Sequence, residues 1–256
     1  MAHRGIFTAR QRAELFNLPT GEASLLQHYT LADDDIEHVR ERRRPENQMG
    51  FALQLCALRY PGRLLGAGEI IPESVIKFIG AQLGMTGDAM LTYAARRQTR
   101  QEHLVALREI YGYRMFAGRR ASRMKSWLDE QAEAAQSNEE LARCFVEECR
   151  RRQIILPGPS VIERLCADAL VAAERRIEAR IAARLDSRMH ARLDSLLRES
   201  TDGRTSWFVW LRQYEVGNNT ADADRLLDRL EFLRAIDLPA TALGGVPPHR
   251  ITRLRR

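Results

Sequence analysis

Arginine carries most of the chemistry this chain has to offer. Lys77 and Lys125 are the only lysines among its 40 cations, so nearly every positive charge is a planar guanidinium. That fork donates two parallel hydrogen bonds to a phosphate, or to the major-groove edge of guanine, which an ammonium cannot do. A GC-rich coding genome also enriches arginine, so abundance decides nothing and clustering must. Between residues 91 and 125 stand Arg96, Arg97, Arg100, Arg108, Arg114, Arg119, Arg120, Arg123 and Lys125, against Glu102 and Glu109. This local excess is larger than the net +6 of the whole 256-residue chain. Tyr93, Tyr111, Tyr113 and Phe116 interleave it, placed to pack on sugars or to support the guanidiniums. Condensed positive charge of this kind is the electrostatic footprint of a duplex-phosphate binder. A second patch, Arg40, Arg42, Arg43 and Arg44 with Asn47 and Gln48, serves either another stretch of duplex or the negative end of its own helix.

Other chemistries find no equipment. No phosphate-cradling GxxxxGK[ST], GxSxG elbow or HExxH occurs. The carboxylates of Asp33, Asp34 and Asp35 point in different directions on a helix and read as a solvated first turn, not a metal site. Cys56, Cys144, Cys149 and Cys166 share no metal-ligand spacing, and the histidines are scattered. Cys144 and Cys149, five residues apart, fall about 140° apart around a helix. Reduced, buried thiols are the expectation. No catalytic residue, metal site or cofactor is expected within these residues. With no apolar run of about 18–20 residues and no signal peptide, no membrane partner is expected. A soluble cytoplasmic protein associated with the nucleoid is the corresponding localisation.

The elements that must position these groups read as helices almost throughout. Thr8 caps a first short helix, residues 21–29 form a second, and Asp33 caps a third that ends in the arginines at 40–44. Pro45 opens a strongly apolar helix through Met49, Phe51, Leu53, Leu55, Cys56 and Leu58, closed by Pro61-Gly62. After a glycine-rich connector, residues 76–97 fit a helix-turn-helix. Gly80 permits close packing, Gly84 makes the turn, and Ile79, Leu83, Met85, Met90 and Tyr93 face inward. The second helix, residues 86–97, would present Thr86, Asp88, Ala89, Thr92 and Arg96 outward. Further helices are read at 101–112, 122–136 and 138–152, ending at the Pro157-Gly158-Pro159 punctuation. Beyond it the apolar positions recur every four residues from Ile177, which winds a stripe around a straight helix. A break is therefore expected near Asp186-Ser187, between two copies of ARLDS. Helices at 206–214 and 220–236 follow, and the terminal HRITRLRR reads as a helix cut off in its second turn, so the chain is expected to be a fragment. The fold class is all-α: tandem helix-turn-helix-like modules at 1–66 and 67–156, then a helical connector or bundle at 157–256.

Three stretches carry a resemblance. RRRPENQMGFALQLCALRYPGRLL, IPESVIKFIGAQLG and YAARRQTRQEHLVALREIYGYRMF resemble the N-terminal region of the replicative, cointegrate-forming transposases of the Tn-three family. The likeness is strong over about residues 5–160 and looser beyond. It implies a much longer protein whose C-terminal RNase-H-like domain performs strand transfer with an acidic triad and a divalent metal, Mg. None of those catalytic residues maps onto a position here. For this portion it implies sequence-specific binding of double-stranded DNA at the transposon's terminal inverted repeats, with homodimerisation a property of the full-length protein. Two other readings compete: a stand-alone helix-turn-helix regulator, and a helical scaffold using residues 160–236 for self-association.

Overall fold

A computed structural model describes residues 7–66, 68–85, 97–198, 206–212, 220–237 and 241–254. The chain divides into two compact units, Met1–Val171 and Ala172–Arg256. The first opens with α1 (Ala9–Phe16), where the Thr8 hydroxyl accepts from the Gln11 N–H at 3.2 Å and the Gln11 side chain accepts from the Thr8 N–H at 2.8 Å. This reciprocal pair satisfies two of the orphan amides of the first turn. Helices α2 (Glu22–Tyr29) and α3 (Asp33–Arg40) follow. The start of α3 differs from expectation by one residue. Ala32 holds the cap position, and Asp35 reaches back to accept from its N–H at 2.7 Å.

Helix α4 (Pro45–Arg59) is the axle of this unit. Every residue from 49 to 58 is buried, as a helix apolar on all faces requires. Pro45 stands at its first position, where a missing amide costs nothing. Helices α2 and α3, then α5 (Glu73–Leu83) and α6 (Arg97–Tyr111), pack around it. One hydrophobic core, running from Leu18 to Ile155, takes residues from both of the first two expected modules.

The turn after α5 has the geometry the sequence called for. Gly84 is left-handed, at φ 67° and ψ 33°, and the Met85 N–H closes back on the Gly80 carbonyl at 2.8 Å. This is a Schellman-type ending, in which glycine avoids the Cβ penalty. Close approach at Gly80 is visible among the described residues. A Cβ there would meet the Met85 carbonyl oxygen at 2.9 Å and the Met49 methyl at 3.4 Å. The expected second helix of the helix-turn-helix, with Thr86, Thr92 and Arg96, lies outside the described residues, and its last residue, Arg97, opens α6.

A feature the sequence did not announce follows α6. Arg114–Met115 (β1) pairs in parallel with Ile154–Ile155 (β2), two residues a side, too short for any alternation to register. Between them lie α7 (Gly118–Gln131) and α8 (Asn138–Arg151). Helix α8 is capped by Ser137 and buries Leu141, Ala142, Phe145, Val146 and Cys149 along one stripe. Cys149, Cys56 and Cys166 are buried as expected, while Cys144, on the opposite side of α8, is exposed.

Pro159 begins α9 (Pro159–Ala182), which contains the division between the two units. In the second unit α10 (Ser187–Ser195) starts at the expected break, with Asp186 accepting from the Met189 N–H at 2.7 Å. Helices α11 (Trp207–Arg212), α12 (Thr220–Ile236) and α13 (Pro248–Leu254) complete it. Trp207 stacks on Phe232 at 4.9 Å, with Trp210 edge-on to both.

Candidate nucleic-acid interface

The cationic residues singled out by sequence divide by what the fold does with them. At the corner between α3 and α4, Arg42 is half-buried, paired with Glu41 at 2.7 Å and set over the Phe51 ring at 4.9 Å. Gln48 donates to the Arg42 carbonyl at 2.8 Å and so ties the corner together. Asn47 is half-buried beside it. Arg40, Arg43 and Arg44 are exposed. Among the described residues, only Arg44 of these three pairs with an acid, Glu46, at 3.8 Å.

A buried polar centre joins α3 to the C-terminal ends of α4 and α6. Asp35 accepts from the Arg59 guanidinium of α4 at 2.7 Å and from the Tyr111 hydroxyl of α6 at 2.9 Å. Burial pushes the Asp35 carboxyl up, but the Ala32 N–H, Arg59 and Tyr111 outweigh it and hold the group below its ordinary range. Burial, then the bond to Asp35, raises Tyr111 well above a free phenol. Nearby His103 is buried edge-on to Phe51 at 5.3 Å, and burial with the Arg42 charge lowers it to about 4. It is therefore a neutral core histidine at pH 7.

The second patch is concentrated on α7. Arg114, just before it, turns back to donate to the Arg108 and Tyr113 carbonyls at 3.0 and 3.2 Å. Arg100, on α6, is half-buried. Arg119, Arg120, Arg123 and Lys125 are exposed and make no hydrogen bond or ion pair with the described residues. On a 3.6-residue period Arg119 and Arg123 fall opposite the buried stripe of Met124 and Leu128. The sequence explains both faces: GRRASRMKSWLDEQ places apolar residues four apart at 124 and 128, and Arg119 and Arg123 four apart on another side.

The order of those charges runs against the helix. A helix N-terminus carries about half a positive charge and favours acids in its first turn. Helix α7 has no acid there, no side-chain cap from Ala117, and two arginines instead. Its acids, Asp129 and Glu130, come at the other end. Arg119 and Arg123 also repel at i,i+4. Every one of these choices weakens the isolated helix and strengthens its attraction for an anion outside it.

The described aromatics of this patch are engaged within the protein. Tyr111 bonds Asp35, Tyr113 is buried, and Phe116 packs edge-on to Phe145 at 5.8 Å. Tyr113 belongs to the core, Tyr111 and Phe116 are half-buried, and Tyr93 lies outside the described residues. Sequence reasoning also passed over Arg59, Arg63 and Arg150, which proved structural. Arg63 clamps Glu69 with two nitrogens, and Arg150 donates to the Pro61 carbonyl at 2.7 Å beneath the Tyr60 ring. No group of three or more His, Cys, Asp or Glu suited to a metal ion occurs among the described residues. None of the described helices is long and apolar enough to cross a membrane.

Comparison with known proteins adds two findings. Residues 6–169 match the family described as Domain of unknown function (DUF4158). Along its whole length the chain is similar to the transposase for transposon Tn3926 of Escherichia coli, at 36% identity, and to that for transposon Tn21 of the same species, at 34%. The transposase for transposon Tn501 of Pseudomonas aeruginosa matches at 33%. The chain spans about a quarter of the length of these relatives, 26% in each case.

Proposed function

Given that the chain belongs to the DUF4158 family, the N-terminal region of Tn-three-family transposases, we propose that it recognises the terminal inverted repeats of a transposon as double-stranded DNA. Strand transfer, with the divalent metal it uses, is assigned to a part of the transposase outside these residues. The observation that carries the reading is α7: four exposed cations that pair with no described residue, two of them in a first turn that has no side-chain cap and no acid. Amides and guanidiniums there suit phosphate oxygens, since both the helix end and the side chains favour an anion. The exposed Arg40, Arg43 and Arg44 supply a second contact region, as a long repeat read in successive grooves requires. Thr86, Thr92, Arg96 and Arg97 are proposed as further DNA-contacting residues.

The test is binding to a labelled inverted-repeat duplex beside a scrambled duplex of equal length, across a salt series. The expected result is a preference for the repeat that persists at moderate salt. It comes with a log–log salt slope of about −0.9 for each phosphate engaged. Equal affinity for both duplexes reduces the function to general duplex binding. Absence of binding at low salt overturns the proposal and favours the self-association scaffold.

A further inference from the structure

Two cationic regions can read one repeat in register only if the distance between them is fixed, and the fold contains a device that fixes it. Asp35 lies in α3, the helix whose C-terminal end carries Arg40 and leads into Arg43 and Arg44. It is 2% exposed, and its carboxylate joins three separate parts of the chain. These are the Ala32 N–H at the start of α3, Arg59 at the end of α4, and Tyr111 at the end of α6.

From Tyr111 onward every step to α7 is pinned. Tyr113 is buried in the common core. The Arg114 N–H donates to the Gln153 carbonyl at 2.9 Å, and β1 is held in register with Ile154 and Ile155. Phe116 packs on Phe145, and the Ala117 N–H closes on the Met115 carbonyl at 2.9 Å, one residue before α7 begins. No link between Asp35 and the first turn of α7 is left to side chains free in solvent.

We infer that Asp35, Arg59 and Tyr111 form a spacing lock that sets the separation of the 40–44 and 119–125 cations, and so the separation of the two duplex segments they contact. The inference rests on the proposed DNA reading. These three are positioning residues: none of them touches the duplex. A lock of this kind acts on specificity more than on bulk affinity. Each patch on its own attracts any phosphate backbone; held at one separation, the two fix the position and orientation of the protein on the duplex, in which base contacts discriminate the repeat.

Tyr111→Phe is the discriminating variant, because it removes one hydrogen bond and keeps the ring. Tyr29→Phe is its control. Tyr29 is also buried and donates at 2.8 Å to the Tyr60 carbonyl, but it does not bridge the two patches. Both proteins are compared with the wild type for thermal unfolding, for affinity to repeat and scrambled duplex, and for the salt slope on scrambled duplex. Hydroxyl-radical footprinting on the repeat locates the two protected segments. A second duplex then carries an insertion of about 5 base pairs between them, half a helical turn.

Tyr111→Phe is expected to lower the preference for repeat over scrambled duplex by about fivefold to tenfold, the scale of one net intramolecular hydrogen bond. Its salt slope on scrambled duplex stays at the wild-type value. The inserted duplex, strongly disfavoured by the wild type, is disfavoured less by the variant. Tyr29→Phe lowers the unfolding temperature and leaves the preference unchanged. A wild-type preference in Tyr111→Phe, or an equal loss in both variants, overturns the lock while leaving the DNA reading standing. A wild-type protein without preference for the repeat removes the reading itself.

Discussion

Replacing Arg119, Arg120 and Arg123 together by glutamine separates binding from folding by the signs of two effects. In a helix where cations serve the fold, their removal weakens it. In α7 they oppose the fold. Arg119 and Arg120 sit in the first turn, at the positive end of the helix, beneath an Ala117 that offers no side-chain cap. Each such charge costs roughly 0.3 kcal/mol or more. Relief of the Arg119–Arg123 repulsion at i,i+4 adds about 0.2–0.5 kcal/mol. The triple variant should therefore be more stable, by roughly 1 kcal/mol, read as an upward shift of the urea midpoint at unchanged slope. Binding moves the other way. If each side chain engages one phosphate, three lost contacts make the salt slope shallower by up to about 2.7, at ~0.9 each. Over a fourfold salt range each contact is worth about half a decade of affinity. Fluorescence anisotropy of a labelled repeat duplex between about 50 and 200 mM salt resolves a change of that size. An unchanged slope in a folded triple variant would refute the assignment of these residues to phosphate. So would a fall in stability, since the cations would then be holding α7 to the rest of the protein.

Three further outcomes follow from single sites. Gly84→Val forces a β-branched residue to φ 67° and should cost at least about 1–2 kcal/mol in denaturant unfolding; an equally stable variant contradicts the left-handed turn. His103 is lowered to about 4 from its ordinary 6.5, so it stays neutral in the folded protein. Its contribution is complete above pH 6.5 and is lost as pH falls towards 4, at about 1 kcal/mol per pH unit. His103→Gln should flatten that window in pH-dependent unfolding. Under native conditions a thiol reagent should modify Cys144 alone. Cys56, Cys149 and Cys166, buried and raised to about 12, should react only after unfolding. Mass spectrometry of the labelled peptides decides it.

How far the sequence could be read depended on how local the cause was. The cap at Thr8, Pro45 at the head of α4 and the left-handed Gly84 are fixed by residues within a turn of one another, and each was visible, though the answering Gln11 side chain was not. The break at Asp186 was visible because four-residue spacing cannot stay on one face. What stayed hidden was set by distant partners. Nothing near Arg114 announces its pairing with Ile154, and nothing near Tyr111 announces Asp35. The division between compact units was equally silent, because it falls inside α9, where the helical pattern continues without a change.

Arginine count and net charge are also weaker guides than what remains after internal pairing. Arg12 pairs with Glu163 at 2.6 Å, Arg59 with Asp35, and Arg63 with Glu69, while Arg150 and Arg184 spend their donors on backbone carbonyls. In these places the guanidinium replaces hydrogen bonds that loops and helix ends cannot make for themselves. Such arginines are structural whatever the coding genome favours. Those on α7 are set apart because no described residue pairs with them and no side chain caps the helix beneath them. An unpaired arginine on a neutral surface could serve solubility alone. Placed in a first turn, with a like charge at i,i+4, it weakens its own helix, and solubility would be served as well from the other end. A negative partner outside the chain removes that penalty, and duplex phosphate is the partner whose spacing and charge suit a row of guanidiniums.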